Sequence, residues 1–219
     1  MIQLKNCIVY SLILISHILA MYSQIVQKAY NYVKSLLKKY KINEDNWYYF
    51  HNWKHIKSVF ERASYLAKKE WLDEEMQEII QLAALFHDVG FIKQYDNNEE
   101  IWAQIAEDWL KSQNFPEDKI EIVKRLILAT VPTFVPDLLP CKIIKDADLD
   151  NLGTPDAILF TKMLAKELKH VKWLDVSTKD LLSKDFILNY KPYTSTQLKE
   201  RKEQLAKNKL EIKKYITTK

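Results

Sequence analysis

Apolar residues recur every three or four positions along most of the chain, and that period predicts helices. From Tyr22 to Tyr40, Ile25, Ala29, Tyr32, Val33, Leu36 and Leu37 share one face. A polar break at Asn43 to Asn46 precedes a second helix, from Trp47 or His51 to Lys69, with Val59, Ala63, Leu66 and Ala67 as its stripe. Asp73 opens a third, over Glu74 to Asp88. That helix is apolar almost all round near its C-terminal end, which predicts a central position, and Gly90 is read as its stop. Glu99 to Lys111 and Glu117 to Thr130 predict two more. Val131 to Pro140 holds three prolines and predicts an irregular loop. Ile143 to Leu149 leads into a sixth helix, Pro155 to Lys169 forms a seventh, and Ser177 caps a short one. Thr194 and Gln197 make a capping-box pattern for the last helix. That helix is rich in charge, and its Leu198, Leu205 and Ile212 predict a narrow seam against the body or a partner.

Composition agrees with an all-α fold. Only two of 219 residues are glycine, Gly90 and Gly153, and 47% are hydrophobic. A β-rich chain would need more turn residues. Neither a phosphate-binding P-loop nor a dinucleotide-binding turn can be built with so little glycine. The net charge of +4 is spread among mixed signs, so no nucleic-acid partner is expected. Cys7 and Cys141 cannot make a disulfide framework, which fits a reducing compartment.

Cys7 to Tyr22 is mostly apolar and follows Lys5, but is shorter than the roughly 20 residues that span a bilayer. Three readings stay open. The segment is a secretory signal cleaved near Ala20, a membrane anchor, or an artefact of a start that belongs at Met21. The helical pattern beginning just after Met21 favours the third reading, and with it a cytoplasmic protein. If residues before Met21 are translated, the protein is exported or anchored.

Candidate chemistry lies in three short runs. His51 and His55 stand four apart in HNWKH, so on a helix they share a face. His87 and Asp88 are adjacent in FHDVG and diverge by about 100° on a helix; one ion reaches both only beyond the helix end. KDADLDNLG offers Asp146, Asp148 and Asp150, of which one can serve a given site. A lone HxxxH or acidic run is common by chance. An aspartate inside an apolar helix is costly without a partner, which makes the combination informative. Imidazole and carboxylate together suit Mn, Fe, Ni, Mg or Zn. A divalent ion held this way activates water and polarises phosphate oxygens.

The order of these runs resembles the HD superfamily of metal-dependent phosphohydrolases, over roughly Trp47 to Leu164. FHNWKHIKSV looks like the HNxxH element of its cyclic-nucleotide phosphodiesterase branch, and ADLDN looks like that branch's ADLSN. The resemblance implies that His55, His87, Asp88 and Asp148 are the metal ligands, with Asp148 preferred to Asp146. It implies that His51 protonates the leaving group, a role open to an imidazole at neutral pH, and that Asp88 helps position or deprotonate water. Related sequences often carry histidine where this one has Asn98, and LILATVPTFVP lacks the histidines of two-metal members. One tightly held ion is therefore expected, and the di-iron oxygenase branch is disfavoured. Lys93, Arg125, Lys142 and Lys145 are candidates for phosphate oxygens.

These readings give a single compact multi-helix HD-type domain over 22–190, an apolar segment over 1–21, and a charged helix over 191–219. The expected activity is hydrolysis of a phosphoester, most of all in a nucleotide or small phosphorylated metabolite. The alternative is a catalytically weak sensor that binds a nucleotide. Homo-oligomers are compatible with either, and a membrane enters only with the N-terminal segment.

Overall fold

The computed structural model describes residues 23–93, 95 and 99–217. Among them there is no strand, and the order is α1 (Gln24–Lys39), α2 (Trp53–Lys69), α3 (Glu74–Phe86), α4 (Glu99–Ser112), α5 (Glu117–Leu128), α6 (Leu139–Asp148), α7 (Ala157–Val171), α8 (Thr178–Leu182), α9 (Asp185–Leu188) and α10 (Ser195–Thr217). Short 3-10 turns fall at Glu44–Asn46, Val89–Ile92 and Asp150–Gly153.

The apolar helix is central, as its pattern predicts. Every α3 residue from Ile79 to Phe86 is buried, and α3 packs against α1, α2, α4, α5 and α6. Side chains from all six helices form one core. The α1 face is Val26, Ala29, Val33 and Leu37, with Ile25, Tyr32 and Leu36 only partly buried. Ile56 and Phe60 join the predicted stripe of α2.

Helix ends depart from the expected bounds for identifiable reasons. α2 begins at Trp53, because Asn52 is its cap and accepts from the Lys54 N–H at 2.8 Å. α3 stops at Phe86, four residues before Gly90, and no glycine among the described residues has positive φ. Left-handed residues that close α1, α2 and α4 are instead Lys41, Trp71 and Asn114, at φ of 57°, 61° and 56°. The backbone bonds of the αL helix stop are present there, such as Leu72 N–H to Ala67 O at 3.1 Å. α6 begins at Leu139, inside the stretch expected to be loop, since Pro140 is tolerated in a first turn.

A smaller apolar cluster of Leu152, Leu182, Ile187, Tyr190, Leu205 and Ile212 holds α10 to the body. The expected seam is shifted. Leu198 is half exposed, and Gln197 is fully buried in its place. The capping box is half formed: Thr194 Oγ1 accepts from the Gln197 N–H at 3.3 Å, but the Gln197 side chain donates to Asp150 at 2.9 Å. Asp146 takes the missing arm, accepting from the Thr194 N–H at 2.8 Å. Ser177 caps α8 reciprocally with Asp180.

Gly153 is needed where α10 crosses the turn after α6. A Cβ there would lie 2.9 Å from Arg201 Cβ, which sits close to the backbone and cannot swing away. Gly153→Ala is expected to lower stability by about 1–3 kcal/mol, the usual cost of overpacking. Chemical denaturation would show this as a lower midpoint with an unchanged slope.

Among the described residues no helix is long and apolar enough to cross a membrane. The apolar segment 1–21 and Tyr22 lie outside the described residues, so the three readings of it stand as expectations.

Candidate metal centre

Three helix ends meet at one point. His55 comes from the first turn of α2, His87 and Asp88 from just past α3, and Asp148 from the last residue of α6. His55 Nε2 lies 3.3 Å from His87 Nε2, and 3.2 Å from both Asp88 Oδ2 and Asp148 Oδ1. His87 Nε2 lies 3.2 Å from Asp88 Oδ2 and 3.6 Å from Asp148 Oδ1. Neighbouring ligands of one ion, each about 2.1 Å from it, stand about 3.0–3.4 Å apart. The spacing therefore matches the edges of a coordination polyhedron.

The donor set fits a cation chemically as well. His87 is fully buried, and its Nδ1–H donates to Ala84 O at 2.8 Å. That bond satisfies a carbonyl at the end of α3 and leaves Nε2 as a bare lone pair, the usual arrangement of a metal-binding histidine. Asp88 Oδ2 is buried and accepts no hydrogen bond. Lone pairs converging in this way repel unless a proton or a cation sits among them. His55, His87 and Asp148 form a group that can hold a metal ion, and Asp88 Oδ2 adjoins it.

Titration tells the same story. Burial opposes a charge on His55, but Asp148 and Asp88 outweigh it and push the imidazole up to about 8. His87 is likewise buried, and Asp88 and Asp148 raise it well above the usual range. Burial resists ionisation of Asp88 and Asp148, and the two histidines nevertheless hold both carboxyls low. In the metal-free protein, protons on the imidazoles stand in for the cation.

A pH dependence follows. The folded pKa of His55 exceeds its ordinary 6.5, so its stabilising proton is fully present below about 6.5 and lost as pH rises through about 8. Cations and protons compete for the same lone pairs. Divalent-ion affinity is expected to climb between pH 6 and 8, by up to about tenfold per unit for each proton displaced. Over the same interval the metal-free protein should lose about 2 kcal/mol of stability. Calorimetric titration and melting curves across that range would check both.

His51 does not lie on α2, in contrast to the helical reading of HNWKH. It is held by the bend before the helix, where Asn52 Nδ2 donates to Tyr48 O at 2.9 Å and Tyr49 O at 3.1 Å. The bend still brings the His51 ring to 6.1 Å from that of His55, centroid to centroid. His51 Nδ1 is 2.5 Å from Glu167 Oε1, and the other oxygen of Glu167 accepts from the Phe50 and His51 N–H groups at 2.7 and 3.0 Å. The Tyr95 hydroxyl also donates to Glu167, at 2.8 Å. Burial opposes the Glu167 charge, but His51, the Phe50 N–H and Tyr95 hold its carboxyl below the usual range. Burial and that carboxylate push Tyr95 far up, which keeps it a donor. Glu167 escapes notice in the sequence: in LAKELKHV it looks like one solvated charge among lysines, and only packing of α7 buries it.

The three aspartates of KDADLDNLG divide the work. Asp146 is buried and accepts from Tyr190 Oη at 2.8 Å, the Tyr193 N–H at 2.9 Å, and the Thr194 N–H and hydroxyl at 2.8 and 2.7 Å. Asp150 accepts from Gln197 and from both Nε and Nη2 of Arg201, at 2.8 Å each for the arginine. Asp148 alone turns to the histidines. Its two neighbours clamp the end of α6 to α10 from either side.

Of the candidate phosphate contacts, Lys145 is buried and donates to Thr130 O and Val131 O. Burial pulls its ammonium below the ordinary lysine value. It lines a cavity of about 240 Å³ that Asp148 shares. Arg125 is not brought to the cluster: its guanidinium pairs with Asp137 at 2.9 Å on the surface. Lys93 is exposed beside the 3-10 turn at Val89–Ile92. A second cavity of about 180 Å³ is bordered by His51, Asp88 and Asp148 and is otherwise largely apolar.

Two histidines and two aspartates thus converge at helix ends of an all-helical domain, in a group able to hold a metal ion. Residues 52–150, somewhat under half of the chain, match the family model of the HD domain. An uncharacterized protein of Clostridium beijerinckii is 34% identical over 101 residues, which cover 44% of this chain and 63% of that relative. The crystal structure of the Lin1889 protein of Listeria innocua superposes with a TM-score of 0.60 at 21% identity, covering 87% of this chain and 93% of the other. Bacillus subtilis YpgQ, solved in complex with ADP, gives 0.57 at 22% identity, with 88% and 98% covered. These two likenesses concern the fold.

Proposed function

We propose that the chain hydrolyses a phosphoester of a nucleotide or another small phosphorylated metabolite, using one tightly held divalent ion. The observation that carries the reading is the placement of His51. An imidazole backed by a buried carboxylate borders the same cavity as Asp88 and Asp148. A site built only to store an ion has no use for that pair.

His55, His87, Asp88 and Asp148 would hold the ion. When bound, it supplies a Lewis acid for phosphate oxygens and makes water easier to deprotonate. The protein's own residues do the rest. Asp88 Oδ2 has no hydrogen-bond donor and is placed to orient water or accept its proton. The Lys145 ammonium has three N–H groups, of which two serve carbonyls and the third is available to a phosphate oxygen. Glu167 fixes the His51 ring through Nδ1, which leaves Nε2 to protonate the departing oxygen. The ADP bound to YpgQ is compatible with a phosphate-bearing ligand in this fold.

The test is phosphate release from a panel of nucleotides and a chromogenic phosphoester, with Mn added and then chelated. Turnover that disappears with the chelator and returns with the ion is expected. Binding of nucleotides without release under any divalent ion would replace the hydrolase by the sensor reading.

A further inference from the structure

One arginine joins two arms of the metal centre from outside it. Arg62 stands on α2 seven residues after His55, two turns along the same face. Its side chain is only 11% exposed. Nε donates to Gln197 Oε1 at 2.9 Å and lies 3.2 Å from Asp150 Oδ1. Nη2 also donates to Gln197 Oε1, and Nη1 donates to Glu200 Oε2 at 2.8 Å. Asp150 is two residues past Asp148, in the 3-10 turn that follows α6. It is held in turn by Arg201 and by Gln197 Nε2. Arg62, Asp150, Gln197, Glu200 and Arg201 thus close into one knot over three elements: α2, the turn after α6, and α10.

The knot does more than attach α10. Two cations meet two anions, so each buried charge has a partner. Gln197 is fully buried; its oxygen accepts from Arg62 while its nitrogen donates to Asp150. That amide bridges the His55 helix and the Asp148 turn. Apart from the ligands themselves, α2 and α6 pack through the shared apolar core. Apolar contact is non-directional and opposes sliding weakly. A guanidinium presents its N–H groups in a rigid plane and opposes it strongly. The centre needs that restraint. His55 Nε2 and Asp148 Oδ1 stand 3.2 Å apart, and a binding constellation works only when its supporting residues hold it within about 0.5 Å.

We infer that Arg62 is a positioning residue for the metal centre: it sets the separation of His55 and Asp148 by tying α2 to the turn after α6 through Gln197 and Asp150. The helix α10 is thereby part of the frame of the centre, although none of the four ligands lies on it. The inference rests on the ligand set of the proposed function and needs no turnover.

The test is titration of the full chain and its variants with Co²⁺, read by calorimetry and by visible absorption, which responds to the arrangement of ligands around that ion. Arg62→Met is expected to weaken Co²⁺ binding about tenfold and to alter the spectrum of the loaded protein. That loss is the lower end of the roughly 10–100-fold seen when groups that orient metal ligands are removed. Arg62→Lys keeps the charge without the fork and is expected to fall between. Gln197→Leu removes the bridge and leaves the arginine–carboxylate contacts. It should weaken binding in the same direction, and it replaces Arg62→Met if that chain does not fold. Ile120→Ala, in the core at the start of α5, lowers stability without touching the knot and is expected to change neither affinity nor spectrum. Wild-type affinity and spectrum in the folded Arg62 and Gln197 variants would overturn the inference, as would an equal loss in Ile120→Ala. A wild-type chain that takes up no Co²⁺ overturns the metal centre itself, and this inference with it.

Discussion

Asp148→Asn is expected to empty the metal centre and reduce turnover by at least about 1,000-fold, or about 4 kcal/mol of transition-state stabilisation. Asp146→Asn, two residues away, is expected to keep the ion. The reason is geometric. Asp148 Oδ1 is 3.2 Å from His55 Nε2, and an amide in that place offers a neutral, weaker ligand to a dication. Asp146 instead accepts from Tyr190, Tyr193 and Thr194, and touches no histidine. Charge-assisted bonds of this kind contribute about 1.5–3 kcal/mol each. Losing the charge should cost about 3 kcal/mol of stability and loosen α10. Elemental analysis, turnover and denaturation on the two variants separate the effects. If Asp146→Asn lost the ion while Asp148→Asn kept it, the ligand set would be wrong.

Glu167→Gln is expected to lower kcat about 100-fold while metal content stays unchanged. The carboxylate accepts from Nδ1–H of His51, which keeps a proton on that nitrogen and fixes the ring. A glutamine amide can present its N–H₂ to Nδ1, which favours a neutral imidazole in the other tautomer, a poorer acid. General acid catalysis is worth about 10²–10⁴, so His51→Ala should cost at least as much. The decisive readout is the double variant. If Glu167 acts through His51, adding Glu167→Gln to His51→Ala costs nothing further. Additive losses would mean that Glu167 serves only the packing of α7.

Much of this site was legible in the sequence, because it is built from short runs at helix ends. His87 and Asp88 stood out as polar residues closing an apolar helix, and packing of α3 in the centre of the fold puts that end in the interior. Glycine scarcity excluded the nucleotide folds that need it. Other features were legible only in outline. HNWKH suggested two histidines on one helical face. The same proximity arises from a bend knitted by Asn52, whose side chain spends all its bonds on backbone groups. No local pattern distinguishes three aspartates at alternate positions. Their roles follow from what packs over α6, namely α10 and the 190–194 segment. The burial of Glu167 and Gln197 is invisible in the sequence for the same reason. Each is a polar residue in a charged helix, buried by a partner far away in the chain. Periodicity assigns the seam to Leu198, while the Arg62 and Asp150 side chains bond the Gln197 amide and bury it instead.

The most direct test of the metal-dependent account is elemental analysis of the purified chain beside Asp88→Ala, each assayed for phosphate release with Mn added. The account predicts close to one divalent ion per wild-type chain, with both ion and release lost in the variant. A wild-type chain that retains no ion and releases no phosphate under any added divalent cation would contradict it, as would an Asp88→Ala variant that keeps both.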